Sequence, residues 1–310
     1  MGQSSATEFL EQLRAQAPTF DVIVGDFGRE AATRYAALIG EEERQALGAE
    51  LAARGLPFFD EYRRLMFTLV ADIAYLKRGM IDRTWAAHGR LTDDVLIAIK
   101  SHDVPGDLKG AITELIEMEV RAGLQRGYQQ VRVVLPCNSL SDVLDDAVSQ
   151  LDIGQWSLPD PNHANAPPHP MALDTKVSAH GVIQSAIDHL SMTGAIGRSP
   201  YLVLGSSMAR DQYKLLGSHL GLEVLPITVQ QQAVIDAAVV ACIGGGSSAL
   251  GMARRSLIDQ VIEPTRLSFP DLVVLEACTD FEFGLGLDSV RLLAKRMVFE
   301  CYQGLLPLRP

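Results

Sequence analysis

Short apolar runs alternate with longer segments of helical periodicity along most of this chain, and this alternation limits the folds that it can adopt. The clearest runs are residues 20–25, 94–99, 131–135, 200–204 and 271–275. Strand-length runs separated by helices of roughly 10–20 residues are typical of βαβ units, which build mainly parallel sheets. The sequence therefore predicts the α/β class.

Helices are predicted between these runs from the spacing of their apolar residues. The predicted helices are 7–17, 30–39, two or three within 41–90, 107–125, 141–151, 176–193, 208–220, 229–242, 248–262 and 288–304. A further strand is predicted at 223–226. The order strand–helix–strand–helix–strand followed by a cysteine occurs once in each half of the chain. This indicates two similar α/β lobes, each with a mainly parallel sheet flanked by helices, with a proline-rich crossing at 152–170.

The composition excludes several kinds of partner. The net charge of −11 and the lack of a basic face argue against nucleic acid. The apolar runs are much shorter than the roughly 20 residues that cross a bilayer, so no membrane span is expected. The N-terminus has no basic start followed by an apolar core, as a signal peptide would. Four cysteines are too few for a disulfide framework, which favours reduced thiols in the cytoplasm.

Cys137 and Cys278 each follow an apolar run, at the point where small polar residues begin. In an open α/β sheet, ligands bind at the carboxyl ends of the strands. Two thiols at two such ends are suited to face each other across one small molecule. One thiolate removes a proton from one face of a carbon, and one thiol returns a proton to the other face. The pattern therefore indicates proton transfer by a pair of thiols.

The residues after each cysteine are suited to bind a substrate. Ser139 begins a hydroxyl–acid capping pattern, which predicts a helix N-terminus beside Cys137. Such a terminus lowers a thiol pKa, and with Asn138 it offers hydrogen bonds to a carboxylate. Thr279 and Asp280 place a hydroxyl and a carboxylate beside Cys278. The alternative is that these cysteines are small buried apolar residues.

Several segments resemble the cofactor-independent aspartate/glutamate racemases. Residues 136–139 resemble the family's P-C-N-T motif, and 275–280 resemble its L-G-C-T-E motif. Residues 288–294 resemble the D-S-x-x-x-L-A segment that follows. The stretch from Gly205 to Pro226 resembles a T-x-x-T…Y…G-x-E-V-x-P pattern. Residues 25–35 are a weaker match to the Gly-rich turn after the first strand.

The resemblance implies a fold of two pseudo-symmetric lobes with the active site between them, often assembled as a homodimer. The first lobe would be residues 1–153, completed by a C-terminal helix at 291–310, and the second would be 154–290. Residues 41–90 match nothing in the family, and we interpret them as a helical insertion that covers the site or builds a dimer contact.

The resemblance also implies that Cys137 and Cys278 are the catalytic acid and base, with neither pyridoxal phosphate nor a metal. The α-carboxylate would be bound by Asn138, Ser139 and Thr279. Ser206 and Ser207 would line the second lobe.

Other positions depart from the family pattern. Asp26 stands in the first turn, where it either supports a thiol or the substrate ammonium group, or caps the next helix. Asp280 replaces the family's usual glutamate, and Ser141 takes the place of a common histidine. His102, which closes the run 94–99, is a further residue that could face the site.

These observations lead to one principal hypothesis and two alternatives. The principal one is an isomerase: a racemase or epimerase of an amino acid, with aspartate or glutamate as the first candidates. The first alternative is a related isomerase or decarboxylase of a small dicarboxylic acid on the same fold. The second is a protein that binds an amino acid without catalysis. Cys242 and Cys301 are predicted to lie in the core.

Overall fold

A computed structural model describes residues 5–24, 31–70, 108–136, 148–149, 151, 157–158, 169–170, 176–244, 247–279, 281, 283–302 and 305–308. The strands are β1 Thr19–Val24, β2 Leu65–Val70, β3 Gln130–Leu135, β4 Ser157–Leu158, β5 His169–Pro170, β6 Lys176–Gly181, β7 Tyr201–Leu204, β8 Val273–Glu276 and β9 Leu287–Asp288. The α-helices are α1 Ala6–Ala15, α2 Ala31–Ala53, α3 Leu108–Gln125, α4 Val182–Met192, α5 Ser207–Gly217, α6 Val229–Gly244, α7 Ser247–Leu257, α8 Glu263–Ser268 and α9 Ser289–Cys301. The predicted α/β class, with parallel sheets flanked by helices, is confirmed.

The first sheet contains four parallel strands in the order β2-β1-β3-β6. Its central strands β1 and β3 pair with Ile23 opposite Val134. Both residues are fully buried, as are their neighbours Val22 and Val133. A parallel strand covered on both faces needs apolar side chains at successive positions. This explains why these strands appear in the sequence as apolar runs, interrupted in their interiors only by Asp21 and Arg132.

The second sheet contains β7, β8 and β9, also parallel. Leu204 lies opposite Glu276, and Glu276 lies opposite Asp288. The carboxyl ends of β7 and β8 therefore reach the same edge of this sheet. One face of the sheet packs on a second apolar cluster, to which α6 and α7 contribute.

One hydrophobic core joins the two sheets. Ile23 and Val134 of the first sheet belong to the same buried cluster as Val203 and Leu275 of the second. Helix α9 contributes Leu293 to this cluster and packs against both α2 and α4. The core therefore holds the two sheets and α9 in a fixed arrangement.

A buried ion pair fastens α9 to the first sheet. Arg132 on β3 donates to both carboxylate oxygens of Asp21 on β1, at 2.7 and 2.9 Å. Its remaining Nη1 donates to the Met297 carbonyl oxygen of α9 at 2.7 Å. Burial raises the pKa of Asp21, and the Arg132 charge opposes that rise. Two hydrogen bonds from one guanidinium stabilise the charged form of the buried Asp21 carboxylate.

Two of the strands correct the sequence-based predictions. Leu65–Val70 forms β2 inside the stretch 41–90, where helices were predicted. Lys176–Gly181 forms β6, where the prediction began a helix at 176. Both strands pair with a neighbour far away in sequence, β2 with β1 and β6 with β3. This pairing satisfies the backbone hydrogen bonds of both strands. The sequence of β2, which includes Phe67, Thr68 and Val70, is itself of a type that favours a strand.

Other elements match the predictions or differ at their ends. The predicted strands 20–25, 131–135, 200–204 and 271–275 are confirmed as β1, β3, β7 and β8. The run 223–226 makes only a single bridge, between Tyr201 and Val224. Pro226 has no N–H and cannot extend a ladder there. The helix predicted at 30–39 continues to Ala53.

The division of the chain into lobes at 153/154 stays a prediction. Strand β6 lies beyond that boundary but pairs with β3, so the first sheet includes residues after 153. Residues 71–90 of the predicted insertion, and the predicted strand 94–99, lie outside the described residues.

Candidate functional site

The carboxyl ends of β7 and β8 leave the second sheet side by side. The Ala277 N–H donates to the Leu204 carbonyl at 2.8 Å, which extends the ladder one residue beyond β8. A methyl group at Gly205 would lie 2.8 Å from the Ala277 carbonyl oxygen, so only glycine fits at this crossing. Cys278 and Ser206 are the next residues of the two chain segments. The structure therefore brings them to one edge.

Cys278 occupies the strand-end position that the sequence predicted. Its side chain is partly exposed, whereas Thr279 beside it is buried. The Phe281 N–H donates to the Cys278 carbonyl at 2.9 Å, which turns the chain sharply after the thiol. A partly exposed thiol at the carboxyl edge of a parallel sheet is placed to meet a ligand.

Ser206 and Ser207 lie at the start of α5, on the neighbouring segment. The Ser206 side chain accepts a hydrogen bond from the Ala209 N–H at 3.2 Å and so caps this helix. Both serines are partly exposed. Gln232 of α6 donates to the Gly205 carbonyl at 3.1 Å and accepts from Arg210 at 2.7 Å. These contacts fix the loop that carries the two serines beside Cys278.

Arg34 connects the first helix after β1 to the segment that carries Cys278. Its Nη1 donates to the Thr279 carbonyl at 2.7 Å, and its Nη2 donates to Asp288 Oδ2 at 2.5 Å. The side chains of Arg34 and Asp288 are only 12% and 18% exposed. Helix α2 therefore reaches the edge of the second sheet through a largely desolvated ion pair.

Asp288 and Ser289 begin α9 next to this contact. Asp288 caps the helix by accepting from the Val290 N–H at 2.9 Å. Burial raises the pKa of Asp288, and the Arg34 charge opposes the rise. Burial also raises the pKa of Tyr213 on α5, whose hydroxyl is hydrogen-bonded to the Ser289 side chain. The D-S pair of the sequence thus ties α2, α5 and α9 together.

Glu276 is a buried carboxylate two residues before Cys278. It is 2% exposed and accepts a hydrogen bond from the Leu285 N–H. Burial raises the pKa of Glu276, while hydrogen bonds from the backbone of the following turn lower it. A methyl group at Gly286 in that turn would overlap the Val274 carbonyl. Glu276 therefore holds the turn that leads from Cys278 to Asp288.

The remaining predicted site residues lie outside the described residues: Asp26, His102, Cys137, Asn138, Ser139 and Asp280. The last described residue before Cys137 is Pro136, directly after β3. Strand β1, which ends before Asp26, is the paired neighbour of β3. Strands β1 and β3 therefore end at the same edge of the first sheet.

Cys301 was predicted to lie in the core, and this is confirmed, whereas Cys242, also predicted there, is partly exposed. Cys301 is buried in the cluster shared by the two sheets, where burial raises its pKa to about 11. Cys242 on α6 packs against the second cluster. Of the three cysteines that the structure describes, Cys278 alone stands at a sheet edge.

The sequence interpretation missed two residues of this region. Arg34 lay in the weakly matching segment 25–35 without a role, and Glu276 stood inside the second motif without one. For Glu276 a signal existed, because a lone carboxylate in a buried strand needs hydrogen-bond donors. Nothing local distinguishes Arg34 from a solvated helix residue.

Within the described ranges, no helix is both long and apolar enough to cross a bilayer. The same ranges hold no cluster of three or more His, Cys, Asp or Glu side chains placed to bind a metal ion.

Comparisons with known proteins identify the fold. No protein-family model matches the sequence, and no curated protein matches it either. Among solved structures, Picrophilus torridus aspartate racemase is similar over 94% of this chain and 96% of its own, with 12% identity and a TM-score of 0.56. An aspartate racemase homologue from Pyrococcus horikoshii OT3 is similar over 92% and 99%, with 14% identity and a TM-score of 0.52.

These likenesses span nearly the whole length of each chain. The protein therefore has an α/β fold with parallel sheets, and it shares this fold with the aspartate racemase and its homologue. This is the fold that the two cysteine motifs predicted.

Proposed function

We propose that this protein is a cofactor-independent amino-acid racemase or epimerase, in which Cys137 and Cys278 act as acid and base. The observation that carries the proposal is Cys278, a partly exposed thiol at the carboxyl edge of a parallel sheet, in a fold shared with aspartate racemases. Cys137 follows the matched strand β3 in the other sheet.

The proposed reaction moves two protons. One cysteine thiolate takes the α-hydrogen, so the C–H bond breaks, an S–H bond forms and the electron pair remains on the α-carbon. The other cysteine gives its proton to the opposite face, so that its S–H bond breaks and a new C–H bond forms. The roles exchange in the reverse direction. Hydrogen bonds to the substrate carboxylate stabilise the carbanion-like transition state.

We infer that the substrate is an acidic amino acid, with aspartate the first to test. Support comes from the solved structures, since one of the similar proteins is named an aspartate racemase. Asn138, Ser139 and Thr279 are proposed to bind the α-carboxylate, with Ser206 and Ser207 lining the second half of the site. Asp26 is proposed to support a thiol or to bind the substrate ammonium group, and Asp280 is proposed to contact the substrate beside Cys278.

The assembly and location are part of the same proposal. We infer a cytoplasmic homodimer with its site between two lobes. None of the three described cysteines forms a disulfide, which agrees with a reducing compartment. Sedimentation equilibrium would give the mass of two chains if the dimer forms.

Proton NMR in D2O tests the racemase proposal. The protein is incubated with L- and D-aspartate, then with L- and D-glutamate, in the presence of chelator and without pyridoxal phosphate. We expect the α-proton signal to disappear as the opposite enantiomer forms. Cys137→Ala and Cys278→Ala should each abolish racemisation, because each enantiomer needs both an acid and a base.

Cys242→Ala is the matched control for these variants. It removes a thiol from α6, away from the sheet edge, and should retain wild-type activity. A single-cysteine decarboxylase would survive the loss of one of the two cysteines and would consume a malonate-like acid instead. A binding protein would retain ligand without any exchange of the α-proton. Either result would contradict the proposal.

A further inference from the structure

We propose that Arg34 is a positioning residue for the Cys278 base. This inference rests on the proposed function, because it assigns Cys278 a role in proton transfer. Arg34 stands on α2, which begins soon after β1 of the first sheet, yet its guanidinium donates hydrogen bonds to Thr279 in the Cys278 segment of the second sheet and to Asp288. It links residues 245 positions apart in sequence.

The bond to the Thr279 carbonyl is what gives Arg34 this role. Thr279 directly follows Cys278, and its carbonyl oxygen receives Nη1 at 2.7 Å. On the other side of the thiol, the Ala277 N–H is fixed to Leu204 at 2.8 Å. Cys278 is therefore held between a contact within its own sheet and a contact from α2. The second contact sets the thiol relative to the helix that follows β1.

Asp288 holds the guanidinium in the orientation that this bond requires. Nη2 donates to Oδ2 of Asp288, while Oδ1 of the same carboxylate accepts from the Val290 N–H at 2.9 Å. The Asp288 carboxylate is thus fixed to the start of α9, so it restricts where the Arg34 guanidinium can lie. A planar guanidinium with one nitrogen on a fixed carboxylate places its other nitrogen predictably.

A second arginine bridge between the same helices provides a comparison. Arg291 on α9 donates to Glu42 of α2 at 2.5 Å and to Glu41 at 3.4 Å. It joins α2 to α9 as the Arg34–Asp288 pair does, but neither of its hydrogen bonds reaches Cys278 or Thr279. Loss of either bridge removes an ion pair between helices, and only loss of Arg34 releases the Thr279 carbonyl.

The rate of proton transfer depends on the position of the Cys278 thiol, which shifts if the Thr279 carbonyl is released. A misplacement of about 1 Å can cost on the order of 100-fold in rate. We therefore expect Arg34→Met to lower kcat by roughly 10- to 100-fold. KM should rise by less than kcat falls, because Arg34 reaches the substrate only through Thr279, which is proposed to bind the α-carboxylate. Arg34→Lys, which can reach one of the two acceptors, should recover part of the loss.

The experiment compares Arg34→Met, Arg34→Lys, Asp288→Asn and Arg291→Met in two assays. The first is racemisation, reported as kcat and KM separately. The second is alkylation of Cys278 by iodoacetamide, followed by mass spectrometry of the Cys278 peptide across pH. The plateau rate at high pH reports access to the ionised thiol and needs no turnover.

The expected result is a loss of kcat and a plateau alkylation rate at least threefold higher for Arg34→Met, with Arg291→Met unchanged in both assays. Asp288→Asn, which keeps a helix cap but loses the charge, should fall between them. Equal losses for Arg34→Met and Arg291→Met, or unchanged alkylation in Arg34→Met, would overturn the inference. If the wild-type protein has no racemase activity, the proposed function fails, and the alkylation rates still decide whether Arg34 orders the Cys278 segment.

Discussion

At the scale of single residues, Cys278 is placed by the backbone around it. Ala277 is bonded to Leu204, the Phe281 N–H closes a turn on the Cys278 carbonyl, and Arg34 holds the Thr279 carbonyl. Each of these contacts uses a backbone atom of the segment. The Cys278 side chain also packs against the second apolar cluster. A substitution at 278 should therefore change this packing but keep the backbone hydrogen bonds that hold the loop.

Gly205→Ala tests how closely the two strand ends pack. Its new methyl group would lie 2.8 Å from the Ala277 carbonyl oxygen, a backbone atom that cannot rotate away. We expect a loss of about 1–3 kcal/mol in the free energy of unfolding, which is the usual cost of overpacking. Urea unfolding measures this loss. Because Ala277 precedes Cys278, racemase activity should fall as well.

Gly251→Ala is the matched control for that substitution. Gly251 lies within α7, and no atom stands within 4 Å of the methyl group that alanine would add. Alanine in a helix interior is favoured over glycine by roughly 0.5–1 kcal/mol. The variant should therefore be slightly more stable than the wild type. Equal stability changes in the two variants would contradict the close packing at Gly205.

At the scale of secondary-structure elements, α9 is the part of the fold that joins the two sheets. Its first residue Ser289 is hydrogen-bonded to Tyr213, and its cap Asp288 binds Arg34. Near its C-terminal end, the Met297 carbonyl receives Arg132 of the first sheet. Each end of α9 is thus fastened by a polar contact, with apolar packing between.

Arg132→Met should loosen this helix and destabilise the whole protein. It would leave the fully buried Asp21 carboxylate without its partner and would also release the Met297 carbonyl. Breaking a buried ion pair by removing one partner costs about 3–5 kcal/mol. Thermal and urea unfolding measure this loss in the free energy of unfolding. The double variant Asp21→Asn/Arg132→Met should be less destabilised than Arg132→Met alone, since it also removes the unpaired Asp21 charge; additive losses would argue against the pair.

The elements differ in how well the sequence predicts them. Helix α9 is predictable because a capping residue, Asp288, precedes apolar residues at helical spacing that are buried, such as Leu293 and Met297. Strands β2 and β6 were missed. The residues of β2 favour a strand but lie in a stretch with helical spacing, and β6 lies at the start of a predicted helix; both pair with strands distant in sequence. Met66 and Phe67 of β2 are partly exposed, so this strand lacks the burial pattern of the central ones.

At the scale of the whole molecule, the sequence predicts the class of fold but not how its parts meet. The apolar runs of β1, β3, β7 and β8 and the two cysteine motifs point to the parallel sheets and to the fold that the solved structures share. The contact between Arg34 and Thr279 joins segments 245 residues apart and has no local signal. The position of Cys278 at a strand end was predictable; the residues that hold it there were not.

The most direct test of the account is the isotope content of product and recovered substrate at early conversion in D2O. Two cysteines on opposite faces predict that L-aspartate yields D-aspartate carrying deuterium at the α-carbon, while the remaining L-aspartate is still unlabelled. The reason is that the donor thiol has exchanged with solvent before it gives up its proton. D-aspartate that retains the protium of the substrate would show that one group serves both faces, and would contradict the two-cysteine mechanism.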